Sequence, residues 1–409
     1  MTATTAATAT LVRQGLPYLT NSAHNPHAAV GEWILGTAGM VVAMIHVGGV
    51  TRMTQSGLSM TTWHPLGTLP PLTEQAWLAE FDRYKEFPEW QQRQSMTLRD
   101  FQFIYAWEYG HRMMGRAIGV AFAVPWLYFS VRHRIPAGYQ ARMAGLFCMG
   151  GAQGAVGWWM VKSGLGDDRR GEKTEIRVQP VRLASHLCMA VATYGALVWT
   201  GLDILSLPHN QQQVKNGTKA TTTSVTSLAQ SLSQGTLRSL GRLRMGCWLL
   251  TGLTAVTIAS GALVAGNDAG RAYNTWPTMN GQDFFVVPEA WPADQPWFWC
   301  VTKDTATTQG NHRALATCTA LTGVGVIGAA SASGLTGALT PQVRRGILAV
   351  GVTILGQYSL GVATLLTYVP LSLGAAHQLG SLAVFTSGLY LTHALRYASR
   401  RVVKQAMLR

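Results

Sequence analysis

Charge is scarce in this chain. Only 12% of the 409 residues are Asp, Glu, Lys or Arg, about half the usual share of a soluble domain. Acids are scarcer than bases, 18 against 32. Cysteine is scarce as well: Cys148, Cys188, Cys247, Cys300 and Cys318 form no CxxC and no evident pair, and only Cys300 falls clearly in an outer loop. Neither a disulfide framework nor a zinc site is indicated. No acid precedes Glu32 and no apolar run precedes it, which excludes a secretory signal. Alternating segments of about ten residues are missing too, and with them a membrane β-barrel.

What is present is a series of apolar runs near bilayer-spanning length. They lie at 33–51, 113–131, 143–161, 183–202, 245–266, 314–335, 346–366 and 373–395. The fold class expected is an all-α polytopic membrane protein with eight transmembrane helices. One side of such a protein, made of the two termini and the loops after runs 2, 4 and 6, holds half of the 32 Lys and Arg. It holds only two acids, Glu32 and Asp203. The positive-inside rule puts both termini on the cytoplasmic or matrix side. The net charge of +14 thus reflects topology among membrane lipids, with no nucleic acid partner. Residues 1–29 read as a Thr/Ala-rich tail compatible with a mitochondrial presequence. Residues 30–202 read as a first four-helix half, 203–243 as a polar linker, 244–397 as a second half and 398–409 as a basic tail.

The halves repeat. GGVTRMTQSGLSMTTW (48–63) aligns with GALVAGNDAGRAYNTW (261–276) at a shift of 213 residues, matching Gly48/Gly261, Gly57/Gly270, Thr62/Thr275 and Trp63/Trp276. His111-Arg112 opens run 2 as His312-Arg313 opens run 6. Gln153-xxx-Gly157 recurs as Gln357-xxx-Gly361, and Ser185-His186 as Ala376-His377. A tandem duplication with four helices per half puts both halves the same way up, related by a pseudo-two-fold axis along the membrane normal.

His111, His186, His312 and His377 all fall near the starts of even-numbered helices, at similar depth towards the outer face. Two imidazoles on two helices of one bundle suit the two axial positions of a haem iron. His46 and His393 have no such counterpart and read as structural. Glu108 lies three residues before His111, where the second half has Gln309. An acid beside only one site suggests one reactive and one electron-carrying haem, with Glu108 accepting a proton or stabilising a developing cation. The alternative is a carboxylate paired with Arg112 or Arg116. Arg112 and Arg313 read either as partners of haem propionates or as snorkelling side chains. The outer loops, about 52–103, 162–180 and 266–311, are rich in Trp, Pro and Gly. They suit an interface belt or caps over the haem sites.

The motifs GGVTRMTQSGLSMTTWHP, EFDRYKEFPEW, WEYGHRMMGR, GWWMVKSGL, RLASHL, GALVAGNDAGRAYNTWP and AAHQLGSLAVF, spread over roughly 30–395, resemble the haem A synthase family in its mitochondrial and related bacterial branch. The resemblance implies oxidation of a methyl group of haem O to a formyl group, through a hydroxylated intermediate, giving haem A for a terminal oxidase. It implies that His111 and His186 ligate the substrate or product haem, that His312 and His377 ligate a haem b, and that the functional Glu of the family is Glu108. The expected setting is the mitochondrial inner membrane with both termini in the matrix, or else a bacterial cytoplasmic membrane. Expected partners are an unidentified electron acceptor, haem O synthase, oxidase assembly factors and a second copy of the chain. The sequence departs from the family at Gly310, where an aromatic is usual, and at Asn267 and Arg271, which are polar where the family tends to be apolar. The outer-loop cysteine pair of some bacterial members is missing.

Two other readings compete. A diheme b electron carrier explains four histidines but not Glu108 against Gln309. A transporter with parallel repeats would place its polar site at the midplane on broken helices, whereas these histidines lie towards one face.

Overall fold

The computed structural model describes residues 9–10, 12–13, 25–166, 176–207, 225–284, 295–331 and 335–407. Almost all of the expected presequence, positions 208–224 of the polar linker and the PEAWP stretch at 288–292 lie outside the described residues. Among those residues there is no strand. Eight long helices organise the chain: α1 (Ala28–Met53), α2 (Leu98–Val131), α3 (Gln140–Lys162), α4 (Pro180–Leu205), α5 (Gln234–Gly266), α6 (Thr305–Ser331), α7 (Pro341–Leu366) and α8 (Leu371–Ala394). Six of them (α1, α2, α4, α5, α6 and α7) are long and apolar enough to cross a membrane. The other two, α3 and α8, have 23 and 24 residues. Glycines and polar side chains (GGAQG in α3, GAAHQLGS in α8) dilute their apolar character.

Two helix starts lie more than ten residues ahead of the hydropathy reading. Run 2 was expected from 113, yet α2 begins at Leu98. Thr97 and Asp100 form a capping box there, each side chain bonding the other's backbone N–H. The extra turns are held by an aromatic cluster built with a short helix, Glu74–Lys85, inside what was read as an outer loop. Phe81 stacks on Phe101 at 5.0 Å, and Tyr84 and Phe101 are fully buried. Burial, then the Glu89 carboxylate, which accepts a hydrogen bond from it at 3.0 Å, push the Tyr84 hydroxyl pKa well up. Likewise α5 begins at Gln234, within the expected linker. Ser233 caps it, and Leu237, Leu240 and Leu243 bury one face. A further helix, Val225–Ser231, precedes it, so the linker is shorter than composition suggested. Cys300, expected in a loop, is buried in a short helix, Trp297–Lys303.

In the first half α1 packs on α2 and α4, and α3 on α2 and α4. In the second, α5 packs on α6 and α8, and α7 on α6 and α8. The halves meet where α4 lies against α5, α1 against α8, and α4 against α8. Leu197, Val198, Leu250, Phe385 and Leu389 belong to one continuous core across this seam. At its basic end, Asp203 of α4 accepts from His393 of α8 at 2.9 Å and from Arg142 of α3 at 2.7 Å.

Candidate functional site

Helix starts decide where each histidine sits. His186, His312 and His377 lie within the first three turns of α4, α6 and α8, whereas the early start of α2 puts His111 deeper along its helix. All four are half-buried. Each rests its Cε1 edge against a glycine of a neighbouring helix. A Cβ added at Gly48 of α1 would lie 2.8 Å from His111, and one at Gly157 of α3 2.9 Å from His186. The corresponding distances are 3.1 Å from Gly261 of α5 to His312 and 2.7 Å from Gly361 of α7 to His377. Those spacings are shorter than carbon van der Waals contact, so only glycine leaves room for the rings. The two Gln-xxx-Gly motifs now have a use. Gln153 Nε2 donates to the His186 carbonyl at 3.0 Å, and Gln357 Nε2 to the His377 carbonyl at 2.9 Å. Each motif holds a histidine's backbone with Gln and admits its ring with Gly.

The histidines come in pairs, one in each half, and the closer geometry is seen in the second. The rings of His312 and His377 stand edge to face with centroids 6.4 Å apart. Two imidazoles ligating one metal ion at about 2 Å each would have centroids roughly 6 Å apart, so the spacing fits one ion between them. His111 and His186 are close enough to interact electrostatically. Among the described residues no three His, Cys, Asp or Glu side chains converge on one point. An iron porphyrin brings its other ligands with it, so two imidazoles are enough to hold one. Around the rings the halves differ. Ser260 Oγ lies 2.8 Å from His312 Nδ1, while His111 Nδ1 is buried without a hydrogen-bond partner among the described residues.

Glu108 is buried and fully engaged. Its Oε2 accepts from the Ser59 hydroxyl at 2.6 Å and from the Met60 N–H at 2.8 Å, and its Oε1 from Arg112 at 2.7 Å. The pairing with Arg112 that the sequence allowed is formed. Arg116 instead donates to the carbonyls of His64, Pro65 and Arg112. At the matching place Gln309 is also buried, but its Oε1 has no partner among the described residues.

The two arginines fasten the outer loops. Arg112 donates to the carbonyls of Met60 and Thr62 at 2.8 and 2.7 Å. Arg313 donates to those of Tyr273, Thr275, Pro277 and Thr278 at 2.6–3.2 Å. Met60 and Tyr273, like Thr62 and Thr275, stand at the 213-residue shift, so the duplication recurs in these contacts. Trp276 lies over the Arg313 guanidinium at 5.6 Å. Asn267, polar where an apolar residue was expected, donates to the Leu263 and Thr302 carbonyls and so ties the end of α5 to the Trp297–Lys303 helix.

Residues 31–389 match the family of cytochrome oxidase assembly proteins named COX15-CtaA. The chain belongs to this family. It is 40% identical over 394 residues to haem A synthase COX15 of Arabidopsis thaliana, covering 96% of this chain and 80% of that one. It is 38% identical over 377 residues to a haem A synthase of Maricaulis maris, covering 92% and 97%. A haem A synthase-mitochondrial ferredoxin fusion protein of Schizosaccharomyces pombe is 36% identical over 391 residues, covering 92% of this chain and 62% of the fusion. In this COX15-CtaA protein, sequence reasoning missed Ser59. The repeat held the signal, because Ser59 aligns with Ala272, which lacks the hydroxyl just where the partner residue is Gln309 rather than Glu108. Ser260 was missed for the mirror-image reason, since its counterpart is Val47.

Proposed function

We propose that this protein is a haem A synthase, oxidising a methyl group of haem O to a hydroxymethyl and then a formyl group. One observation carries the reading: of two similar histidine pairs, the first alone among the described residues has a buried carboxylate next to it, fixed by three donors. Two haems of equal role would not need this difference. His111 and His186 hold the substrate haem, and His312 and His377 hold a haem b. When bound, the iron porphyrins supply the redox chemistry. The chain supplies ligand geometry, a dry setting and charge. Glu108, fixed three residues from His111 on one helical face, stabilises positive charge or takes a proton at the reacting edge of the substrate. Arg112 and Arg313 hold the outer loops down over the two sites and direct positive charge to the end where propionates would lie.

The eight helices are read as eight spans in two four-helix bundles, related by an axis along the membrane normal. The recurring His–Gly, Gln–His and Arg–loop contacts support this. The excess of Lys and Arg at one end supports termini on the inner side, and relatives in a plant and in bacteria suit a mitochondrial inner membrane or a bacterial cytoplasmic membrane. The fission-yeast fusion supports a ferredoxin-type protein as the electron-transfer partner at that basic face.

The test is haem extraction with chromatographic and mass identification from purified wild type and Glu108→Ala. Wild type should carry haem b together with haem O, haem A or the hydroxylated intermediate, and the variant should accumulate species short of haem A. Haem b alone in both, with haem O supplied, would show an electron carrier instead.

A further inference from the structure

The seam between the halves is not closed along its whole length. Near its outer end, Gln378 of α8 fills the space over Gly49 of α1. Further in, a cavity of about 290 Å³ opens between α1, α4 and α8, lined by Leu35, Ala38, Gly39, Val198, Leu202 and Tyr390. Gly36 and Gly39 face open space, with nothing within 4 Å of an added Cβ. The polar groups at the floor are used up. The Tyr194 and Thr386 hydroxyls bond each other at 2.6 Å, and Thr386 also donates to the Leu382 carbonyl. The groove therefore offers a ligand apolar surface and little else. A helix with its side chains is about 10–12 Å across, too thick for a space of this volume, whereas a single alkyl chain fits.

The basic end of the groove carries charge. Gly346 of α7 presses on Leu391 of α8, with an added Cβ 3.0 Å from it, which brings Arg345 beside Tyr390. Arg345 and Arg396 both act electrostatically on Tyr390. Arg396 is held at the end of α8 by donating to the His393 carbonyl at 3.2 Å. Of the nearby acids, Asp203 is already bound to Arg142 and His393. Glu32 lies on the same stripe of α1 as Leu35 and Gly39. Arg345 and Arg396 thus both lie near Tyr390, which lines the groove at its basic end.

We propose that this seam binds one anionic phospholipid, with an acyl chain between α1 and α8 and the phosphate at Arg345 and Arg396. A basic pocket between membrane helices on the positively charged side is suited to a lipid phosphate. A bound chain would complete the contact between the two halves where the side chains leave it open.

The test uses full-length protein reconstituted in phosphatidylcholine nanodiscs containing a minor fraction of phosphatidylglycerol, then released for native mass spectrometry. Wild type should retain phosphatidylglycerol in preference to phosphatidylcholine. Arg345→Gln with Arg396→Gln should weaken retention about 25-fold, each cation near the surface contributing about fivefold. Gly39→Leu, filling the groove from an open position, should abolish retention by a separate route. Gly119→Leu, on the exposed face of α2 with nothing near it, should leave retention unchanged. The proposal is overturned if phosphatidylcholine is held equally, if either groove variant retains phosphatidylglycerol as wild type does, if Gly119→Leu loses it too, or if the retained molecule is a quinone.

Discussion

A histidine ring that fills the space where a glycine's Cβ would stand leaves no room for a side chain there. That is the situation of His377 against Gly361, and it makes Gly361→Ala a sharp probe. Overpacking costs about 1–3 kcal/mol, so haem retention per protein, read by absorbance after purification, should weaken about 5- to 100-fold. Gly39→Ala, which meets nothing, should leave it unchanged. Ser59 supplies the complementary probe. A hydrogen bond to a charged acceptor contributes about 1.5–3 kcal/mol. Ser59→Ala should therefore lower haem A formation about 10- to 100-fold in a haem O conversion assay, with both haems still bound. The histidines themselves were legible because each recurs with its neighbours in both halves. Ser59 was hidden because a serine in a loop has no periodicity, and its role shows only when the loop folds onto α2.

At the scale of elements, hydropathy located the apolar middle of each long helix but not where several begin. The starts of α2 and α5 lie in polar sequence, where a capping residue and a buried face decide. Thr97 with Asp100, and Ser233 ahead of Leu237, Leu240 and Leu243, fit the pattern of caps and stripes, but the first pair lies in a stretch read as outer loop and the second in one read as linker. The outer loops were read as Trp-rich caps or belts. Their fastening by Arg112 and Arg313 was not legible, since a loop carbonyl has no signature in sequence. Arg313→Lys keeps the charge but cannot span four carbonyls. Limited proteolysis over 273–284 should then run at least about fivefold faster than in wild type, with α6 otherwise protected.

Across the whole molecule, the two halves share one core rather than sitting side by side. Contacts of α4 with α5 and α8, and of α1 with α8, join residues far apart in sequence, which local patterns do not report. A protease site engineered within 208–224 should, once cut, leave the halves copurifying in detergent, because the seam and not the linker holds them. Separation on size-exclusion chromatography would contradict that. The arginine fastenings also differ between the halves in how many side chains share them. Over the second site Arg313 gives its guanidinium to loop carbonyls and to the Trp276 face. Over the first, Arg112 divides itself between two carbonyls and the Glu108 carboxylate. Arg116 adds the carbonyls of His64 and Pro65 to the first cover. Among the described residues the loop at 273–278 thus hangs from one arginine and the loop at 60–65 from two, so replacing a single side chain unfastens only the second cover.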